Sequence, residues 1–132
     1  MIDHIIIPVS DVAASKAFYS QGLAPLGYKI LFEEPLPKTD ELQCVGFGVS
    51  PNPEIFISKT DSTITPLHLA FRASAHSVVN SFYEAAMASG GHYNLKRDLC
   101  PEYHADYYGA FVLDPDGHNI EAVCHEPEFS YS

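Results

Sequence analysis

Tryptophan is absent and basic residues are scarce. Seven Lys and Arg stand against seventeen Asp and Glu in 132 residues, a formal net charge of −10. A surface that negative repels phosphate backbones and anionic headgroups, which argues against nucleic acid and membrane as partners. Cysteine is sparse too. Cys44, Cys100 and Cys124 are odd in number and make no CxxC pair, so neither a disulfide framework nor a four-thiolate zinc site is expected. No apolar run approaches the roughly 18–20 residues that span a bilayer, and Met1-Ile2-Asp3-His4 offers no basic stretch ahead of its short apolar run. These absences lead to the expectation of a cytoplasmic protein in a reducing compartment. What the chain does have is 46% hydrophobic against 18% charged residues, a globular balance that fits one domain over residues 1–132.

The chain also repeats itself. Shifted by 64 positions, His4 falls on His68, Ser10 on Ser74, Phe18-Tyr19 on Phe82-Tyr83, Gly27 on Gly91, Phe47 on Phe111 and Pro51 on Pro115. The pattern agrees as well as the identities. Each half opens with an alternating apolar run, Ile2 to Val9 and Leu67 to Ala73, of strand length. Ser10-Asp11 and Ser74 then stand as helix caps, ahead of helical spacing over Val12–Leu23 and Val78–Met87. Gly27 and Gly90-Gly91 close the helices. Three strand candidates follow each helix: Tyr28–Glu33, Leu42–Val49 and Glu54–Lys59, then His92–Lys96, Tyr107–Leu113 and His118–Cys124. Asp114-Pro115-Asp116-Gly117 reads as a hairpin turn. The expected fold is α+β: two tandem βαβββ modules, about 1–62 and 63–132, whose curved mixed sheets form a shared cleft.

Strand alternation selects the residues for that cleft. Ile5, Ile7 and Val9 make one face of the first strand, and His4 and Ile6 the other. Leu67, Leu69 and Phe71 likewise oppose His68 and Ala70. In the last strand Ile120, Ala122 and Cys124 suit a helix, which turns Glu121 the opposite way. A carboxylate in so apolar a segment needs a partner. A metal ion held by His4, His68 and Glu121 supplies one, and pairing with Arg72 supplies another. Two imidazoles and one carboxylate suit zinc, nickel, cobalt, manganese or ferrous iron. Phe56, Tyr103, Tyr107, Tyr108 and Phe111 are expected to line the cavity and contact substrate. His104 is a candidate acid–base group, and Asn119 a candidate hydrogen-bond partner for a metal ligand.

The motifs Ile2-Asp3-His4-Ile5, Pro66-Leu67-His68-Leu69-Ala70-Phe71 and Asp114-Pro115-Asp116-Gly117-His118-Asn119-Ile120-Glu121 resemble those of the vicinal oxygen chelate superfamily. That superfamily comprises glyoxalases, bleomycin-resistance proteins and extradiol dioxygenases, and the resemblance covers essentially the whole chain. The stretch from Tyr103 to Phe111 is similar to a small glyoxalase-like bacterial and fungal subgroup. The resemblance implies paired βαβββ modules, frequent homodimers, and a divalent metal on which a substrate chelates through adjacent oxygens. Metal-binding roles carry over to His4, His68 and Glu121. The implied activity is that of a glyoxalase-like lyase or isomerase. The alternatives are a ferrous ring-cleaving dioxygenase and a non-catalytic protein that sequesters a drug, as in the bleomycin-resistance branch. One departure stands out. Glyoxalase I has a fourth ligand, an acid in the last strand of the first module, and the 64-residue shift puts Ile57 there, or Phe56 with a one-residue slip. Glu54, the nearest acid, is expected in solvent. The catalytic base then falls to Glu121, His104 or a metal-bound hydroxide. Few basic residues are present to hold the carboxylates of glutathione.

Overall fold

The computed structural model describes residues 1–99 and 106–128, residues 95–99 by backbone alone. The first half runs β1 (Ile5–Val9), α1 (Val12–Gly22), β2 (Lys29–Pro35), β3 (Leu42–Gly48) and β4 (Ile55–Lys59). The second runs β5 (His68–Arg72), α2 (His76–Ala88), β6 (His92–Leu99), β7 (Tyr108–Leu113) and β8 (Asn119–Cys124). The βαβββ pattern therefore occurs twice, as the repeat predicts. Each half builds a four-stranded mixed sheet, in the orders β1-β4-β3-β2 and β5-β8-β7-β6. The β1/β4 and β5/β8 pairs are parallel and the rest antiparallel.

Local chemistry accounts for where the elements stop. Pairing of β1 begins only at Ile5, whose N–H donates to Glu54 O at 2.9 Å. Upstream of β4 stand Pro51 and Pro53, which have no N–H to extend the ladder. His4 consequently lies just before the strand and not inside it. Asp11 caps α1 by accepting from Ala14 N at 3.2 Å. Ser74 does not cap α2, because the cap position is Ala75, one residue later, and it makes no side-chain bond. α1 ends at Gly22, short of the expected Leu23. Pro25 cannot donate into a continuing α-helix, so the chain takes one 3₁₀ turn over Ala24–Leu26 before Gly27, at φ 89°, reverses it.

Each helix covers one face of its own sheet, and the two halves share one hydrophobic cluster. Ile7, Val9, Phe18, Tyr19, Phe47 and Ile57 of the first half join Val79, Phe82, Val112 and Ile120 of the second. Polar groups stitch the halves together beneath this core. The buried Asp114 carboxylate accepts from Tyr19 Oη at 2.6 Å and from the backbone N–H groups of Asp116 and His118. Burial and the Asp114 charge push the Tyr19 hydroxyl well above the ordinary tyrosine range. The fully buried His118 takes Leu67 N–H on Nδ1 at 3.0 Å and so carries its proton on Nε2, which donates to Pro8 O at 2.8 Å. The opposite face of each sheet carries no helix. Among the described residues no helix is long and apolar enough to cross a membrane.

Candidate functional site

Alternation along the strands places Phe56, His68, Phe111 and Glu121 on the two faces left free of helix. On sheet one, Ile7 and Val9 are fully buried on the helix side while Ile6 is 60% exposed on the other. On sheet two, Phe71 packs inward while His68, Ala70 and Arg72 are exposed. Glu121 behaves differently from its neighbours on that face. It is 1% exposed, because His68, Tyr107 and Phe111 close over it.

His68 and Glu121 form the centre of the arrangement. His68 Nε2 lies 2.9 Å from Glu121 Oε1, and the Tyr107 hydroxyl donates to Glu121 Oε2. The buried carboxylate is thus partnered by an imidazole and a phenol, and not by Arg72. The Phe111 ring lies 6.3 Å from His68 between centroids. Two donors on one divalent ion, with bonds of about 2.0–2.2 Å, stand roughly 3 Å apart at a right angle. The His68–Glu121 pair fits that requirement: one nitrogen, one oxygen, already adjacent.

His4 lies elsewhere. Its Nδ1 is 2.6 Å from Asp3 Oδ1, and its ring meets Phe56 edge-on at 5.4 Å. β1 and β5 belong to different sheets and approach at two places. Pro8 is tied through His118 to Leu67 at one end, while Ile2, Asp3 and Ile5 share a cavity of about 260 Å³ with Leu69, Ala70 and Phe71 at the other. His68 follows Leu67 at the first of these places, and His4 precedes Ile5 at the second. Among the described residues no group of three His, Cys, Asp or Glu gathers closely enough to hold a metal ion.

Register resolves the position of the missing acid. Glu121 pairs with Ala70 and Phe111, and the 64-residue equivalent of Ala70 is Ile6, which pairs with Phe56. Phe56 is thus the counterpart of Glu121, and Ile57 points into the core. The His68–Glu121 pair of one half corresponds to a His4–Phe56 aromatic contact in the other. Phe32 continues the same row, its ring 5.9 Å from that of Phe56, and both crowd Gly46, where a Cβ would stand 2.9 Å from the Phe56 ring and 3.1 Å from Phe32 Cβ. Phe32 and this glycine went unselected in the sequence. Glu54 is exposed, as expected, and accepts from Tyr28 Oη at 2.7 Å. Burial and that carboxylate push the Tyr28 hydroxyl up to about 12.

The remaining candidates divide by face. Tyr108 differs from expectation: it points to the helix side, donates to Asn80 Oδ1 at 2.6 Å and stacks on His76 at 4.0 Å. Asn119 accepts from Asn94 Nδ2 at 3.1 Å. Tyr103, His104 and Cys100 lie outside the described residues. Burial and the nearby Glu34 charge raise the Cys44 thiol, which keeps it protonated and a poor nucleophile. A larger cleft, about 830 Å³, lies on the outer side of α1 near Lys16, Ser20, Asp40 and Lys59, away from His68 and Glu121.

A family model described as Glyoxalase/Bleomycin resistance protein/Dioxygenase superfamily matches residues 1–122. The chain belongs to this superfamily. Its fold is shared with a glyoxalase/bleomycin resistance protein from Albidiferax ferrireducens T118, at TM-score 0.73 and 23% identity over 92% of this chain and 97% of that one. TioX from Micromonospora sp. ML1 is similar at TM-score 0.72 and 13% identity, over 96% and 99% of the two chains. The oxidase ChaP-H2 is similar at TM-score 0.62 and 24% identity, over 98% and 96%. No curated protein matches the chain. At these identities the superfamily likeness establishes the fold and leaves the reaction to the residues.

Proposed function

We propose that this superfamily member is a metal-dependent, glyoxalase-like lyase or isomerase that acts on a small substrate chelating through adjacent oxygens. The observation that carries the reading is the His68–Glu121 pair, a buried carboxylate oxygen 2.9 Å from an imidazole nitrogen on a helix-free sheet face. The third donor of the reading is His4 from a second copy of the chain. Within one copy His4 contacts Asp3 and Phe56 and not the His68–Glu121 pair, while its ring stays 48% exposed and open to a partner. A homodimer that sets sheet one of one copy against sheet two of the other unites the three donors. It also brings Ile6, Phe32 and Phe56 opposite the polar set, as an apolar wall for the substrate.

A divalent ion bound there supplies Lewis-acid polarisation of the substrate's neighbouring oxygens. The chain supplies the rest. His68 Nε2 and Glu121 Oε1 fix the donor geometry, and Phe111 and Tyr107 exclude water from the carboxylate. Glu121 and His104 are the residues proposed to move the proton between adjacent carbons. With Phe56 in place of a second acid the site gains an apolar wall, and with few Lys or Arg in the chain to hold carboxylates it favours a small apolar substrate over a glutathione adduct. A ferrous ring-cleaving oxygenase is the second reading, favoured by the two-imidazole, one-carboxylate set and by likeness to the oxidase ChaP-H2.

Calorimetric titration of metal-stripped protein with Mn²⁺, Ni²⁺ and Zn²⁺ tests the reading. One ion per chain is expected for the wild type, and a loss of at least ten-fold in affinity for His68→Ala and Glu121→Gln. Oxygen uptake with a catechol after anaerobic ferrous loading selects the second reading over the first. Unaltered metal affinity in both variants defeats both.

A further inference from the structure

The two oxygens of Glu121 have different partners, and the difference bears on how many coordination positions the carboxylate can occupy. Oε1 faces His68 Nε2 at 2.9 Å, while Oε2 accepts the Tyr107 hydroxyl proton. Tyr107 precedes β7, and with Gly109 and Phe111 it falls on the helix-free face. Gly109 makes the approach possible. A Cβ there would stand 3.1 Å from the Tyr107 ring and 3.3 Å from Glu121 Oε2, tighter than ordinary packing, so the missing side chain leaves the space that the phenol and carboxylate fill. The Tyr107 ring also packs edge-to-face against His125, 5.4 Å between centroids.

We infer that Tyr107 is a positioning residue that keeps Glu121 a one-oxygen metal donor. The inference rests on the metal-binding reading above. A free carboxylate often takes two positions on a divalent ion, one per oxygen. A hydroxyl donating to Oε2 competes with that mode, since a charge-assisted O–H···O⁻ bond is among the stronger hydrogen bonds. Only Oε1 then turns to the ion. The position a chelating carboxylate would occupy stays available to the second oxygen of a bidentate substrate. Tyr107 thus acts on substrate through Glu121, and its removal costs chelating ligands more than ligands that bind through one atom.

The test uses full-length protein loaded with Mn²⁺, acetohydroxamate as a two-oxygen probe and azide as a one-atom probe. Tyr107→Phe is expected to hold Mn²⁺ at least as tightly as wild type, to bind acetohydroxamate about ten-fold or more weakly, and to leave azide affinity unchanged. Water-proton relaxation is expected to report fewer metal-bound waters in the variant. Gly109→Ala, whose added Cβ crowds both ring and carboxylate, is expected to give the same split by a separate route. Equal losses for the two probes, or no loss for acetohydroxamate, overturn the role of Tyr107 while leaving the metal site standing. Wild-type protein that takes up no Mn²⁺ overturns both, and so marks the failure of the underlying reading.

Discussion

If His4 of one copy completes the site of another, two defective variants should repair each other. His4→Ala lacks the imidazole of sheet one, and Glu121→Ala lacks the carboxylate of sheet two. A homodimer of either variant has no complete set of three donors. In a mixed dimer, one site joins His4 of the Glu121→Ala copy to His68 and Glu121 of the His4→Ala copy and is complete, while the other lacks two donors. Random exchange of equal amounts makes about half the dimers mixed, so about a quarter of all sites recover. Each homodimer should bind metal at least ten- to hundred-fold more weakly than wild type, since even outer-shell partners cost that much. The assay is calorimetric Mn²⁺ titration of each variant alone and after mild unfolding and joint refolding. High-affinity binding at about 0.25 ions per chain, appearing only after mixing, is the expected result. No recovery in a mixture shown to exchange subunits refutes the shared site. So does a His4→Ala variant that keeps wild-type affinity, because the third donor then comes from elsewhere.

Two further predictions concern the frame that positions the site. His118→Ala leaves Leu67 N–H and Pro8 C=O without their buried partner and removes a packed ring, at a cost of about 2–4 kcal/mol. For a domain of this size that lowers Tm by roughly 6–16 °C in a thermal scan, and a change under 2 °C would show that the histidine does not join the halves. Tyr28 should make stability fall in alkali. Its folded pKa is about 12 against 10.0 unfolded, so between those values the folded chain holds a proton that the unfolded chain has lost, and rising pH favours unfolding. Denaturant melts of wild type and Tyr28→Phe from pH 9 to 12 should converge as the pH rises, whereas parallel curves exclude titration of the Tyr28 hydroxyl as the cause.

The fold was legible because two signals with different physical origins agree. Strand alternation assigns faces and helical spacing assigns lengths, and the 64-residue repeat requires both halves to obey the same assignment. His68 and Glu121 were selected by that logic, and their side chains do meet. His4 was selected by the same logic and lies elsewhere, because facing is a local property and convergence is not. Alternation fixes the side of the sheet toward which a side chain points, and it contains nothing about how two sheets are placed. Tyr108 lies three residues before Phe111 in an unbroken β7/β8 ladder, so alternation turns it to the opposite, helix-covered face. Phe32 follows a register shift between Ile30 and Phe32, which alternation does not anticipate.

The repeat also makes visible a divergence that neither half shows alone. One half has a histidine just before its first strand and the other has one at the start of it, and both set one residue of the last strand beside it. In one half that neighbour is a buried carboxylate, in the other an aromatic ring that joins a second ring over a glycine. A carboxylate at position 56 would add a negative charge to a face that also carries the exposed Ile6 and Phe32. Glu121, in contrast, tolerates burial because a phenol and an imidazole both attend it. The aromatic half therefore cannot be made a copy of the polar half by one substitution alone. The duplicated fold thus sets a histidine–carboxylate pair and a histidine–aromatic pair at two equivalent places.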